Sequence, residues 1–218
     1  MKSSMQEYLW LNPIVEGMIE KERDIVLRIL NNNGYSVVSC TAGAAVTYEA
    51  YRKLINTASR KPVIDARCPQ VTALISRKYP DLSEHIAPIA PILSACAEIL
   101  YREYVESSLE QSRLTVVAPC IALANDGRAR FGNRIRFITW KQLIKEIVGL
   151  KVYARLNSSP VPPGFFRNLG NYVVEANGKI GVEAILHAVD AGEIPESIRL
   201  VELLYCKDGC HNGDGVVG

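Results

Sequence analysis

Leu200-Val201-Glu202-Leu203-Leu204-Tyr205 runs straight into Cys206-Lys207-Asp208-Gly209-Cys210-His211-Asn212-Gly213-Asp214-Gly215. The first six residues read as a buried strand. Two cysteines follow at its exit, with three residues between them, in a glycine-rich loop. Glycines let a backbone wrap close to a bulky object and turn N–H groups toward it. Two thiols held this way can ligate metal, close a disulfide or carry redox chemistry. The rest of the chain has to decide among these.

Working outward, the pairing of strand and cysteine occurs twice more. Residues 62–65 read as a short strand leaving through Ala66-Arg67-Cys68-Pro69. Residues 114–118 read as a strong strand leaving through Pro119-Cys120. Further strands are expected at 35–39, 135–138 and 172–176, and residues 85–89 read as extended. Helical periodicity predicts helices over 15–30, 44–59, 71–78, 92–105, 140–148 and 180–191. Residues 1–13 read as a polar lead-in ending at Pro13, and residues 157–164 carry loop chemistry. Strands alternate with helices nearly throughout. That pattern predicts an α/β fold with mainly parallel sheets and flanking helices. The chain is long enough for two such α/β lobes, dividing near 106–113 or 150–170.

The bulk numbers narrow the function classes. The 218 residues are 48% apolar and carry a formal charge of +2. This is a folded globular chain, and nothing at whole-chain level asks for nucleic acid. No apolar run approaches a membrane span, and no signal-peptide core follows the N-terminus, so a cytoplasmic location is expected. In a reducing compartment its six cysteines are expected as free thiols or metal ligands.

In open α/β sheets, sites form outside the carboxyl ends of strands, so three such loops can converge. Cys68, Cys120, Cys206 and Cys210 would then supply the four thiolates that a [4Fe–4S] cluster requires. Taken alone, Cys68 or Cys120 is more simply a small buried apolar residue. The paired cysteines in the glycine loop shift the balance for Cys206 and Cys210. Cys40 and Cys96 are assigned to packing.

Three motifs carry a resemblance. Asp65-Ala66-Arg67-Cys68-Pro69 stands for a strand exit reading Thr-Ser-Cys-Cys-Pro, with Tyr79-Pro80-Asp81-Leu82 beyond it. Ala118-Pro119-Cys120-Ile121-Ala122-Leu123-Ala124 stands for Met-Pro-Cys-Thr-x-Lys-Lys. The stretch from Cys206 to Gly215 stands for Cys-x-Gly-Gly-Cys-x-Asn-Gly-Gly-Gly, the most specific of the three. Across about residues 15–218 the chain resembles the catalytic domain of [FeFe]-hydrogenases, without their accessory ferredoxin-like cysteine runs. The resemblance implies that Cys68, Cys120, Cys206 and Cys210 hold a [4Fe–4S] cluster between two α/β lobes. It also implies that Cys210 is the position that bridges to a diiron unit in the family.

The departures share a direction. Arg67 replaces the family's proton-relay cysteine, and arginine stays protonated near neutral pH. Leu123 replaces the lysine that binds a cyanide of the diiron unit. Ala118 and Leu204 replace two methionines. Asp126 stands where the family has a glutamate. The cubane ligands survive and the diiron contacts do not, so a diiron subsite and catalytic residues are not expected. Arg67 is expected to set positive charge near the cluster, with a solvated loop residue as the plainer reading. His211 is expected either to donate a hydrogen bond to a cluster sulfur or to face solvent. The basic stretch at 128–136 offers a docking face for an acidic redox partner, or an ordinary solvated surface.

Three functions follow as expectations. The first is a cluster protein for electron transfer or redox sensing under anaerobic conditions, serving a redox partner protein or a larger electron-transfer complex. The second is a minimal active hydrogenase with a full diiron H-cluster. The third is a cluster-free interaction subunit.

Overall fold

The computed structural model describes residues 5–108, 111–151 and 155–216. Two parallel sheets share the strands. The first has β1 (Gln6–Leu11) and β4 (Ser112–Ala118) at its centre, with β2 (Tyr35–Val38) and β5 (Arg136–Thr139) outside them. The second places β7 (Leu200–Leu204) between β3 (Val63–Ile64) and β6 (Val173–Asn177). All pairings are parallel, which demands helical crossovers and covers both sheet faces.

The helices are α1 (Pro13–Met18), α2 (Arg23–Asn32), α3 (Ala42–Thr57), α4 (Pro69–Lys78), α5 (Ile92–Tyr104), α6 (Ile121–Phe131), α7 (Trp140–Glu146) and α8 (Lys179–Asp190). The chain passes from the first sheet to the second between β2 and β3, returns between β3 and β4, and crosses again between β5 and β6.

The polar lead-in expected at residues 1–13 is corrected by β1. Its register pairs Tyr8 with Ser36 on one side and Leu114 on the other, making it an interior strand. A strand covered on both faces shows no alternation. Only Leu9-Trp10-Leu11, all buried, signals it. The helix expected over 15–30 is two helices joined by a 3-10 turn at Glu20–Glu22. Both pack on one apolar cluster with Val15, Val26 and Leu30, so the periodicity survives the break. Asn12 caps α1: its Oδ1 accepts from the Ile14 and Val15 N–H groups, while its Nδ2 donates to the Val117 carbonyl at 2.7 Å. The stretch at 85–89 is extended only at Ile86, which makes a single parallel bridge to Ile64.

Helix α6 runs through the residues that the sequence offers only as basic. It lies against β5 at Gly127, where any Cβ would come within 2.4 Å of the Phe137 ring. Arg128 donates to the Phe137 carbonyl, Arg130 pairs with Asp126, and Arg136 pairs with Glu146. The basic stretch is thus a set of locally satisfied side chains.

Candidate metal centre

Each of three strands hands a cysteine to the same region. Cys68 follows β3 and is the N-cap residue of α4. Cys120 follows β4 and is the N-cap residue of α6. Cys206 and Cys210 follow β7 in the last loop. The four cysteines line one small cavity together with Arg67, Leu123, Leu204 and Gly213. Cys120 comes from the first sheet and the other three from the second, so the site lies where the sheets' carboxyl ends meet.

Helix caps explain how two thiols are aimed. The Leu123 N–H donates to Cys120 Sγ at 3.4 Å. Backbone N–H groups of Tyr205, Val71 and Gln70 are directed at Cys68. The proline after Cys68 suits the first position of a helix, where its missing N–H costs nothing. Helix N-termini and N–H groups aimed at sulfur favour negative charge there.

The last loop is stitched to the Cys120 loop. Gly215 N–H donates to the Pro119 carbonyl at 3.1 Å, and Ile121 N–H donates to Asp214 Oδ1 at 2.9 Å. Gly213 is needed at this crossing, because a Cβ there would lie 2.5 Å from the Pro119 oxygen. Gly209, at φ 113, passes under Ser159, whose Cβ would meet an added one at 2.9 Å.

Burial raises all four thiols above the ordinary cysteine value. Cys120 is pushed up to about 12 and Cys206 to about 11, each chiefly by burial and then by neighbouring thiols and Asp214. Cys68 is raised by burial too. Cys210 moves furthest, by burial and then by Cys68, Cys120 and Cys206 together. Among the described residues no three Cys, His, Asp or Glu side chains are placed to hold one metal ion. The thiols surround a space instead of sharing a point. Four thiols at one cavity are the donor set that a cluster with one thiolate per iron corner requires.

Arg67 is neither a solvated loop residue nor a free positive charge. It is 6% exposed, and its guanidinium is held by Asp65 and by Glu202 Oε1, the latter at 2.8 Å. It also lies 4.5 and 4.4 Å from the ring centres of Phe165 and Phe166. Two buried carboxylates share its charge, yet the guanidinium lines the thiol cavity where they do not, and it opposes the upward shift of Cys210. The Tyr51 hydroxyl donates to Asp65 Oδ1 at 2.9 Å. The Glu202 carboxylate accepts the backbone N–H groups of Gly164, Phe165 and Phe166. Sequence reasoning missed Asp65, Glu202 and the two phenylalanines. The signal was a glutamate inside the apolar run Leu200–Leu204, a buried charge that needs partners.

His211 is 6% exposed, so it does not face solvent. Its Nδ1 has no hydrogen-bond partner among the described residues, and its Nε2 lies 3.2 Å from Asn212 Nδ2. Asp126 is occupied by Arg130 and lies 3.4 Å from the Ser94 hydroxyl. Neither residue lines the thiol cavity.

A second, larger cavity of about 270 Å³ adjoins the first and shares Arg67, Leu123, Leu204 and Cys210 with it. Its walls are mainly apolar, including Trp10, Ile14, Pro91, Leu93 and Val161.

Fold and site together define an α/β protein of two parallel sheets with a four-thiol centre at their junction. Residues 17–130 match the family described as "Iron only hydrogenase large subunit, C-terminal domain". The chain belongs to that family and is a [FeFe]-hydrogenase-related protein. Solved structures agree on the fold. An apo Cys-to-His variant of the [FeFe]-hydrogenase HydA1 from Chlamydomonas reinhardtii matches with a TM-score of 0.67 at 14% identity, covering 100% of this chain and 81% of that one. A Glu-to-Ala variant of the same enzyme gives 0.69 at 15% identity, with coverage of 100% and 81%. The HydA structure reported for stepwise H-cluster assembly gives 0.67 at 14% identity, again covering 100% and 81%. No curated protein sequence matches the chain. No helix among the described residues is long and apolar enough to cross a membrane.

Proposed function

We propose that this chain binds one [4Fe–4S] cluster through Cys68, Cys120, Cys206 and Cys210, and that it passes or senses electrons without turning over hydrogen. The observation that carries the reading is the meeting of four thiols, from three loops, around one cavity. Bound there, the cluster supplies one-electron chemistry at a potential tuned by nearby charge and hydrogen bonds to sulfur. The chain provides both levers. N–H groups at Cys68 and Cys120 favour the reduced, more negative state. The Arg67 guanidinium, which lines the thiol cavity and acts on Cys210 as a positive charge, works in the same direction.

The larger cavity fits a diiron unit poorly. Leu123 and Leu204 line it with hydrocarbon, and the Arg67 guanidinium is already committed to two carboxylates. Electrons would then come from or go to a redox partner protein or a larger electron-transfer complex, in a reducing cytoplasmic setting.

Anaerobic reconstitution followed by iron and sulfide counting and EPR tests the reading. About four irons per chain and a cubane spectrum are expected. A colourless protein without stoichiometric iron would leave the cluster-free interaction subunit. A minimal active hydrogenase is the second reading, favoured by the cavity that shares Cys210 with the thiol centre. Infrared bands of bound CO and cyanide after maturation would establish it.

A further inference from the structure

Cys40 and Cys96 take no part in the four-thiol centre, yet both line the larger cavity beside it. Cys40 sits between β2 and α3, and Cys96 lies within α5. The two helices cross at Gly43, where an added Cβ would come within 2.4 Å of Cys96 Sγ. That missing side chain lets the Cys96 sulfur reach Cys40. Its Sγ lies 3.8 Å from the Cys40 carbonyl oxygen, and the two thiols are in side-chain contact. Their exposures differ. Cys96 is 2% exposed, whereas Cys40 is only partly buried. A molecule in the cavity therefore meets Cys40 first.

We propose that Cys40 and Cys96 form a redox-active dithiol that reduces a small, uncharged organic disulfide admitted to this cavity. The Cys40 thiol loses its proton and attacks one sulfur of the substrate. The substrate's S–S bond breaks, a Cys40–substrate disulfide forms, and the first product leaves as a thiolate that takes up the proton. Cys96 then attacks the Cys40 sulfur, a Cys40–Cys96 bond forms, and the second product thiol departs. Two thiols are oxidised by two electrons in total and one disulfide is reduced to two thiols. Cys96, the more buried thiol and raised by that burial, is the slower nucleophile, which leaves the first attack to Cys40. The size and apolar walls of the cavity set the substrate class, because the one charged side chain on its wall, Arg67, is already ion-paired with Asp65 and Glu202. The proposal does not depend on the cluster.

The test is anaerobic treatment of the full chain with hydroxyethyl disulfide, read by peptide mapping. The expected result is a Cys40–Cys96 cross-linked peptide, with a loss of two free thiols at those positions. Cys96→Ser should instead trap a hydroxyethyl adduct on Cys40. Cys40→Ser should leave Cys96 unmodified. Oxidised glutathione, bulky and anionic, should form the same cross-link more slowly than hydroxyethyl disulfide. The proposal is overturned if wild-type protein forms no Cys40–Cys96 cross-link. Modification of Cys96 at the wild-type rate in Cys40→Ser, or equal rates with the two disulfides, would overturn it as well.

Discussion

The Arg67 guanidinium lies 2.8 Å from Glu202 Oε1, joining the exit of β3 to the middle of β7 inside the protein. One partner stands immediately before Cys68 and the other four residues before Cys206. Glu202 also anchors the backbone of Gly164 to Phe166, so one carboxylate positions three segments around the thiols.

Removing the cation strands two buried carboxylates. Arg67→Leu should cost about 3–5 kcal/mol, because an uncompensated buried charge is left behind. Urea unfolding of the cluster-free chain measures this. Arg67→Leu combined with Glu202→Leu should cost less than the sum of the two single changes, by about 0.5–3 kcal/mol, since the residues are directly coupled. Strict additivity would contradict the geometry.

The thiols separate into two sets. Cys68→Ala, Cys120→Ala, Cys206→Ala and Cys210→Ala should each reduce iron content from about four per chain toward loss of the cubane. Cys40→Ala and Cys96→Ala should retain it, because neither side chain lines the smaller cavity. Iron analysis with EPR on anaerobically reconstituted variants decides this.

Gly213 permits contact between the two cysteine loops. Gly213→Ala puts a Cβ 2.5 Å from the Pro119 oxygen and 3.2 Å from Cys120 Cβ. Backbone cannot yield as a flexible side chain can, so the last loop has to move. The expected outcome is a fall in cluster loading with little change in far-UV circular dichroism. Gly181→Ala, whose Cβ would make only an ordinary 3.7 Å contact with Ala176 Cβ, is the contrasting control and should load normally.

Stability of the cluster-free chain should decline in alkali. The folded-state values of Cys206 and Cys120 are raised to about 11 and about 12 from an ordinary 9.0. Between those limits the unfolded chain has released protons that the folded chain still holds, so stability falls as pH rises. The contribution is complete below pH 9.0 and is lost progressively through about pH 11 and 12. Urea midpoints taken from pH 8 upward should show the decline, and Cys120→Ala should flatten it. Assembly of a cluster releases these same protons, so its affinity should rise with pH.

Strand-and-helix alternation was legible because parallel strands such as Leu200–Leu204 and Leu114–Ala118 are continuous apolar runs between periodic segments. β1 was not, since its three buried residues are too few to stand apart from a polar start. α6 was hidden by its arginines, which satisfy themselves on neighbours. The four cysteines could be named because each stands at a strand exit, a local property. What Arg67 does could not be named. Its charge depends on Asp65 two residues away and on Glu202, 135 positions along the chain.

The sequence by itself determined the fold class and the four thiols, because periodicity and strand exits are written in short stretches. Only the tertiary structure decided that those thiols face one space, that Arg67 is ion-paired beside them, and that Cys40 meets Cys96. Burial and charge balance belong to residues brought together from distant parts of the chain, and no local pattern records them.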